Sequence, residues 1–200
     1  MRVICCCFGN KFNQWHVDNL KYMIDNYSGL KYNSFEVIEN NIYNNWYNKL
    51  QMYEMFKDGE NLYFDLDIII YDKLPNLIRK EFTLLYDYWR DGEKTHTPLN
   101  SSIVSWTGDV SHIWKKFISN DEYYLKKYNK GSDEFYYKEI EYKTYDDICY
   151  SIKGHEYDKE PNKKYSVCTL GQMHHLMEEG WQGWWSNYLL NEKQLLKLQF

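Results

Sequence analysis

Nothing in these 200 residues approaches the run of roughly 20 apolar side chains that a membrane-spanning helix needs. No cluster of lysines and arginines stands out, and the net charge is −5, which argues against a nucleic-acid-binding surface. The opening Met1-Arg2-Val3-Ile4-Cys5-Cys6-Cys7-Phe8-Gly9 lacks the length of a secretory signal and reads as a first core strand. Cysteine is sparse, five in all, an odd number. Cys5, Cys6 and Cys7 are adjacent on that strand and point in alternating directions, so they cannot form one compact ligand set. Cys149 and Cys168 fall in apolar, strand-like runs. Zinc is therefore not expected, and reduced, buried thiols in a cytoplasmic protein are. There is no internal repeat and no low-complexity linker, since Lys159-Glu-Pro-Asn-Lys-Lys164 is only an exposed turn. One domain spanning residues 1–200 is the expectation.

Aromatic residues, in contrast, are plentiful: 21 Tyr, 9 Phe and 8 Trp. Their flat apolar faces and polar tips suit sugar- or base-binding clefts, but they serve as plain packing more often, so composition does not decide between the two. The hydrophobic share of 44% fits a chain with a real core, while the mean hydropathy of −0.75 reflects abundant Asn, Lys, Asp and Tyr.

The apolar pattern alternates along the first third. Val3 to Phe8 reads as a strand ending at the Gly9-Asn10 turn. Trp15, Leu20, Met23, Ile24 and Tyr27 recur at helical spacing, and Ser28-Gly29 closes that helix. Phe35 to Ile38 is a second strand; Trp46, Leu50, Tyr53 and Phe56 mark a second helix, stopped by Asp58-Gly59. This βαβαβ order predicts an α/β fold: a Rossmann-like, mainly parallel sheet flanked by helices, with ligands at the carboxyl ends of its strands. Later, Leu99 to Trp106 and Tyr165 to Leu170 read as strands, Ile113 to Ile118 and Ser132 to Ile140 as helices. The tail from Trp181 to Phe200 is helical in character, and Trp181, Trp184, Trp185 and Tyr188 share one α-helical face. Such a face is core more often than acceptor cleft.

The feature richest in chemistry is Asn61-Leu-Tyr-Phe-Asp-Leu-Asp-Ile-Ile-Ile-Tyr71, an apolar run interrupted by two carboxylates. In an extended chain Asp65 and Asp67 project on the same side. Two such acids repel each other unless a cation sits between them, and a divalent metal with oxygen ligands answers that need and would in turn hold a phosphate. The plainer alternative ends the strand at Asp65 and leaves both acids solvated in a loop.

Several segments in order resemble the GT-A glycosyltransferases. They are Cys7-Phe-Gly-Asn-Lys-Phe12, Trp46-Tyr-Asn-Lys-Leu50, Leu62-Tyr-Phe-Asp-Leu-Asp-Ile-Ile-Ile70, Leu74-Pro-Asn-Leu77 and Leu99-Asn-Ser-Ser-Ile-Val-Ser-Trp106. The likeness is to a small phage and bacterial group related to the glycogenin and galactosyltransferase (family 8-like) enzymes, and it covers roughly residues 1 to 190. It implies a single GT-A domain, with a nucleotide-binding half (1–80) ending in the Asp-x-Asp strand, and an acceptor half with the C-terminal helices (81–200).

It also implies a hexosyltransferase using a nucleoside-diphosphate sugar and Mn²⁺ or Mg²⁺, with a glycan, lipid-linked or protein acceptor. Asp65 and Asp67 would hold the metal, Asp65 also reaching the ribose. Lys49 would face the diphosphate, and Phe8, Gly9 and Asn10 the nucleotide. Asn100, beside Ser101 and Ser102, would face the sugar. Asp133 and Glu134 stand where the group has an acidic turn that orients donor or acceptor, although Ser132 replaces its leading Asp. The group's last core strand leads to a His-Gly-x-Pro-Lys-Pro run whose His completes the metal site. Here Leu170 stands at that place, and His174 or His175 is the available substitute. The alternative is a degraded glycosyltransferase-fold protein that binds a nucleotide, glycan or protein. A metal-dependent phosphohydrolase would need a further ligand set that the sequence does not offer.

Overall fold

A computed structural model of the chain describes residues 1–43, 46–86, 97–152, 164–170 and 183–190. Its main sheet has six strands in the order β2-β1-β3-β6-β5-β7. These are β1 (Arg2–Cys6), β2 (Ser34–Ile38), β3 (Glu60–Phe64), β5 (Thr83–Tyr86), β6 (Leu99–Thr107) and β7 (Lys143–Tyr145). β1 runs parallel to β2 and β3, and β5 parallel to β7, whereas β6 is antiparallel to both neighbours. A second sheet, β4-β9-β8, joins β4 (Ile68–Ile70), β9 (Val167–Thr169) and β8 (Cys149–Ser151).

The strands at the centre are apolar on both faces because both faces are covered. Val3 and Cys5 of β1 with Leu62 and Phe64 of β3 face one core; Ile4, Cys6 and Tyr63 face the other. The first core is closed by helix α1 (Gln14–Met23) and by the second sheet. The second is closed by a 3-10 segment, Trp46–Gln51, that runs into α2 (Met52–Met55), and by α3 (His112–Ile118) and α5 (Ser132–Glu139). Between them in sequence, α4 (Asp121–Lys127) buries no residue. None of the five cysteines is in a disulfide; Cys5 and Cys6 are buried in opposite cores, Cys149 and Cys168 are buried too, and Cys7 is half-buried.

Three expectations need correction. The Asp-x-Asp segment is not one strand: β3 ends at Phe64, Asp65 to Asp67 turn, and β4 continues in the other sheet. The turn forms because the pairing partner of Ile68–Ile70 is Val167–Thr169, not the neighbours of β3. The same-side argument for the two acids therefore does not apply. The helix expected over Trp46 to Phe56 is instead a 3-10 segment, Trp46–Gln51, and one α turn, Met52–Met55. The helix after β1, by contrast, does close at Ser28-Gly29, through a π turn at Ile24–Ser28 and Gly29 at φ +69°. In the tail, Trp184–Tyr188 is a 3-10 helix, so its side chains do not keep α-helical spacing. Trp185 is buried in the first core, and Trp184 and Tyr188 pack against it; Trp181 lies outside the described residues. Among the described residues no helix is long and apolar enough to cross a membrane.

Candidate active site

From β1 the chain reaches β2 through α1 on one face of the sheet, and it reaches β3 through the 3-10 segment and α2 on the other. The connections diverge at the carboxyl ends of β1 and β3, and a crevice at such a switch point is where open α/β sheets bind ligands. Two turns leave the sheet there: Gly9 to Lys11 after β1, and Asp65 to Asp67 after β3. Gly9 adopts φ +69°, and a Cβ at that position would meet nothing within 4 Å, so backbone conformation alone calls for glycine.

One side of the crevice is a closed network. The Lys49 ammonium, with only 7% of its side chain exposed, lies 3.2 Å from Asp65 Oδ1 and donates to the Ser101 carbonyl at 3.1 Å. The Tyr63 hydroxyl donates to the same Asp65 oxygen at 2.5 Å, and the ammonium sits 5.2 Å from the centre of the Tyr63 ring. Burial alone would lower the Lys49 pKa, but the charges of Asp65 and Asp133 outweigh it and hold it above the ordinary lysine value. Asp133 enters from the first turn of α5, accepting hydrogen bonds from the Ser101 backbone N–H at 3.1 Å and from the Ser101 hydroxyl. The Asp65 N–H in turn donates to the Ser102 carbonyl, tying the acid turn to β6.

The other side is sparser. Asp67 is buried, and its nearest cation is Lys11, with Nζ 3.7 Å from Asp67 Oδ2 and 35% of the Lys11 side chain exposed. Burial, and after it the charge of Asp65, push the Asp67 carboxyl up to about 7; Lys11 and Lys49 pull the other way. A carboxyl in that state takes either a proton or a better cation. The sequence reading passed over Lys11, although a lysine two residues beyond a strand-ending glycine turn was a usable signal.

The remaining candidates fall as follows. Phe8 is half-buried against the second core, while Gly9 and Asn10 are exposed. Asn100 is buried on β6, and its side-chain oxygen accepts from the Ser102 N–H at 2.8 Å. Glu134 is half-buried in the first turn of α5, where its charge raises the Tyr47 hydroxyl pKa along with burial. His174 and His175 lie outside the described residues. Leu170 is fully buried, and its N–H donates to the Asp67 carbonyl at 2.9 Å, so the chain emerging from β9 passes beside the acid turn.

These residues fit a hard divalent cation in part. Asp65 and Asp67 offer oxygen ligands, and magnesium-type sites use one or two carboxylates and fill the rest with water and substrate phosphate. Among the described residues no group of three or more His, Cys, Asp and Glu forms a fuller set. A groove lined by Lys73, Pro75, Ile148 and Lys164 lies beyond the far end of β4 and contains none of the candidates.

Neither a family model nor the sequence of any curated protein matches the chain. Solved structures do. The galactosyltransferase LgtC, determined in complex with donor and acceptor sugar analogs, matches over 98% of this chain and all of its own length, with a TM-score of 0.64 and 10% identity. The glycosyltransferase GlyE of Streptococcus pneumoniae TIGR4 matches over 98% of this chain with a TM-score of 0.62 and 12% identity, and this chain spans 63% of it. A glycosyltransferase involved in glycosylation of the major capsid of PBCV-1 matches over 89% of this chain and 99% of its own length, with a TM-score of 0.63 and 11% identity. At such identity the likeness speaks to architecture, and the architecture is that of a GT-A glycosyltransferase.

Proposed function

We propose that the chain transfers a sugar from a nucleoside-diphosphate sugar to a glycan, lipid-linked or protein acceptor, with Mn²⁺ or Mg²⁺ held by Asp65 and Asp67. The observation that carries this reading is the position of a buried, cation-demanding carboxyl, Asp67, beside a second acid at the switch point of a GT-A sheet. The metal, when bound, supplies Lewis-acid stabilisation of the departing diphosphate.

The protein's own groups have the following roles in this reading. Lys49, held by Asp65 and the Ser101 carbonyl, contributes fixed positive potential beside the diphosphate without reorganising. The turn at Phe8, Gly9 and Asn10 borders the nucleotide. With its oxygen taken by Ser102, Asn100 has its amide NH₂ for a sugar hydroxyl. Asp133 orients Ser101, and Glu134 lies one residue on toward donor or acceptor. His174 or His175 would add a nitrogen ligand.

A second reading has a specific observation behind it. At Leu170, where the resembled group carries its metal-binding His, the residue is apolar: its backbone N–H reaches the Asp67 carbonyl, and its side chain packs in the first core. A chain that binds nucleotide or glycan without turning it over would tolerate this. A panel of nucleotide sugars with Mn²⁺, scored for diphosphate release with and without chelator, separates the two. Chelator-sensitive release supports the transferase; tight nucleotide binding with no release from any donor supports the binding protein.

A further inference from the structure

We propose that Lys11 is a diphosphate ligand that exchanges partners, neutralising Asp67 in the free protein and turning to the donor diphosphate once a divalent ion takes Asp67. This deepens the transferase reading and rests on it. The two lysines of the crevice differ in how they are held. Lys49 has two hydrogen bonds at 3.1–3.2 Å and a buried side chain. Lys11 has an ion pair at 3.7 Å, beyond hydrogen-bond length, and a third of its side chain is open to solvent. Its ammonium also lies 4.8 Å from the centre of the Phe12 ring, a soft contact that leaves the head free to swing on a four-carbon stem.

Electrostatics calls for such a movement. In the free protein Lys11 and Lys49 balance Asp67 and Asp65 as two ion pairs. A divalent ion on the two acids makes Lys11 a like charge in front of Asp67, and the ion repels it. A nucleoside diphosphate carries more negative charge than one divalent ion cancels, so the released ammonium has a partner within the same crevice. The turn that carries Lys11 is set by Gly9 at φ +69°, and it ends where α1 begins, capped by Asn13. Lys11 thereby supplies from the first turn of the fold a phosphate-directed cation.

The exchange has a signature that a structural role would lack: one substitution shifts two affinities in opposite directions. Calorimetry on native chain, Lys11→Met and Lys11→Arg would titrate Mn²⁺ alone, then UDP and GDP with saturating Mn²⁺, then UMP and GMP. Lys11→Met is expected to tighten Mn²⁺ severalfold, since the competing ammonium is gone. It should weaken the better-bound diphosphate about tenfold, the scale of a charge-assisted hydrogen bond, and the monophosphates less. Lys11→Arg should restore diphosphate affinity. Circular dichroism checks that each variant folds. Affinities for metal and diphosphate that fall together, or a diphosphate affinity left unchanged, would overturn the assignment. So would a native chain that binds neither diphosphate. Opposite shifts in a chain that releases diphosphate from no donor would retain Lys11 and reject catalysis; sugar transfer with both affinities unmoved would do the reverse.

Discussion

The two halves of the crevice are built in opposite ways. On the β6 side, Lys49, Tyr63, Asp65, Ser101 and Asp133 are linked by close hydrogen bonds, so their geometry is set before any ligand arrives. On the β1 side, Asp67 faces an ion pair at 3.7 Å from a lysine about one-third exposed, and its carboxyl is raised to about 7 by burial and by Asp65. The first half is a preorganised wall, whose worth lies in not having to rearrange. The second half holds a buried carboxyl that a cation would complete. A donor site needs both, one to position and one to respond.

If this contrast is right, breaking the wall should affect stability most. Lys49→Met leaves Asp65 without its buried counter-charge and should destabilise the chain by about 3 kcal/mol, with Lys49→Arg milder. Urea denaturation measures it, and a loss under about 0.5 kcal/mol would mean the network is solvated.

The responsive half should show itself in pH dependence. The Asp67 pKa is raised above its unfolded value near 4, so its protonated form favours the fold. Its stabilising contribution is complete below pH 4 and is lost as pH climbs toward about 7. Asp67→Asn should remove that slope. It should be more stable than the native metal-free chain at pH 8, by about 2 kcal/mol, with the gap closing toward pH 4. Parallel thermal-melt curves across that range would mean that burial does not raise the carboxyl.

Two smaller changes sharpen the comparison. Ser101→Ala removes one of the two bonds that Ser101 makes to Asp133 and should cost about 1 kcal/mol in stability, measured by denaturant midpoint. Gly9→Ala meets no steric contact, so only the positive φ is penalised. It should cost about 1 kcal/mol or less and loosen nucleotide binding by displacing the turn that carries Lys11.

The parts of this fold that were legible in sequence are those whose signals are local. β1, α1 and β2 follow from apolar spacing, with Gly9 and Gly29 marking the turns after β1 and α1. β6, α3 and α5 were legible for the same reason. What escaped depends on distant partners. Ile68–Ile70 looks continuous with β3 because both are apolar, yet its ladder partner lies near residue 168. α4 escaped because it buries no side chain and so carries no apolar periodicity. Within the candidate site, the fold brings the sequence candidates Lys49 and Asp65 into contact, with Asp67 on the same turn. Lys11 was not legible, because only the fold of the Gly9 turn carries it to Asp67.

The central claim is that Asp65 and Asp67 hold a divalent ion that in turn holds a diphosphate, and calorimetry of UDP and GDP with and without Mn²⁺ tests it most directly. The account predicts that Mn²⁺ tightens one of the two at least about tenfold, that Asp67→Asn abolishes this gain, and that Asp65→Asn reduces it less. Equal affinity with and without Mn²⁺ for both nucleotides would contradict it and remove both aspartates from the ligand set.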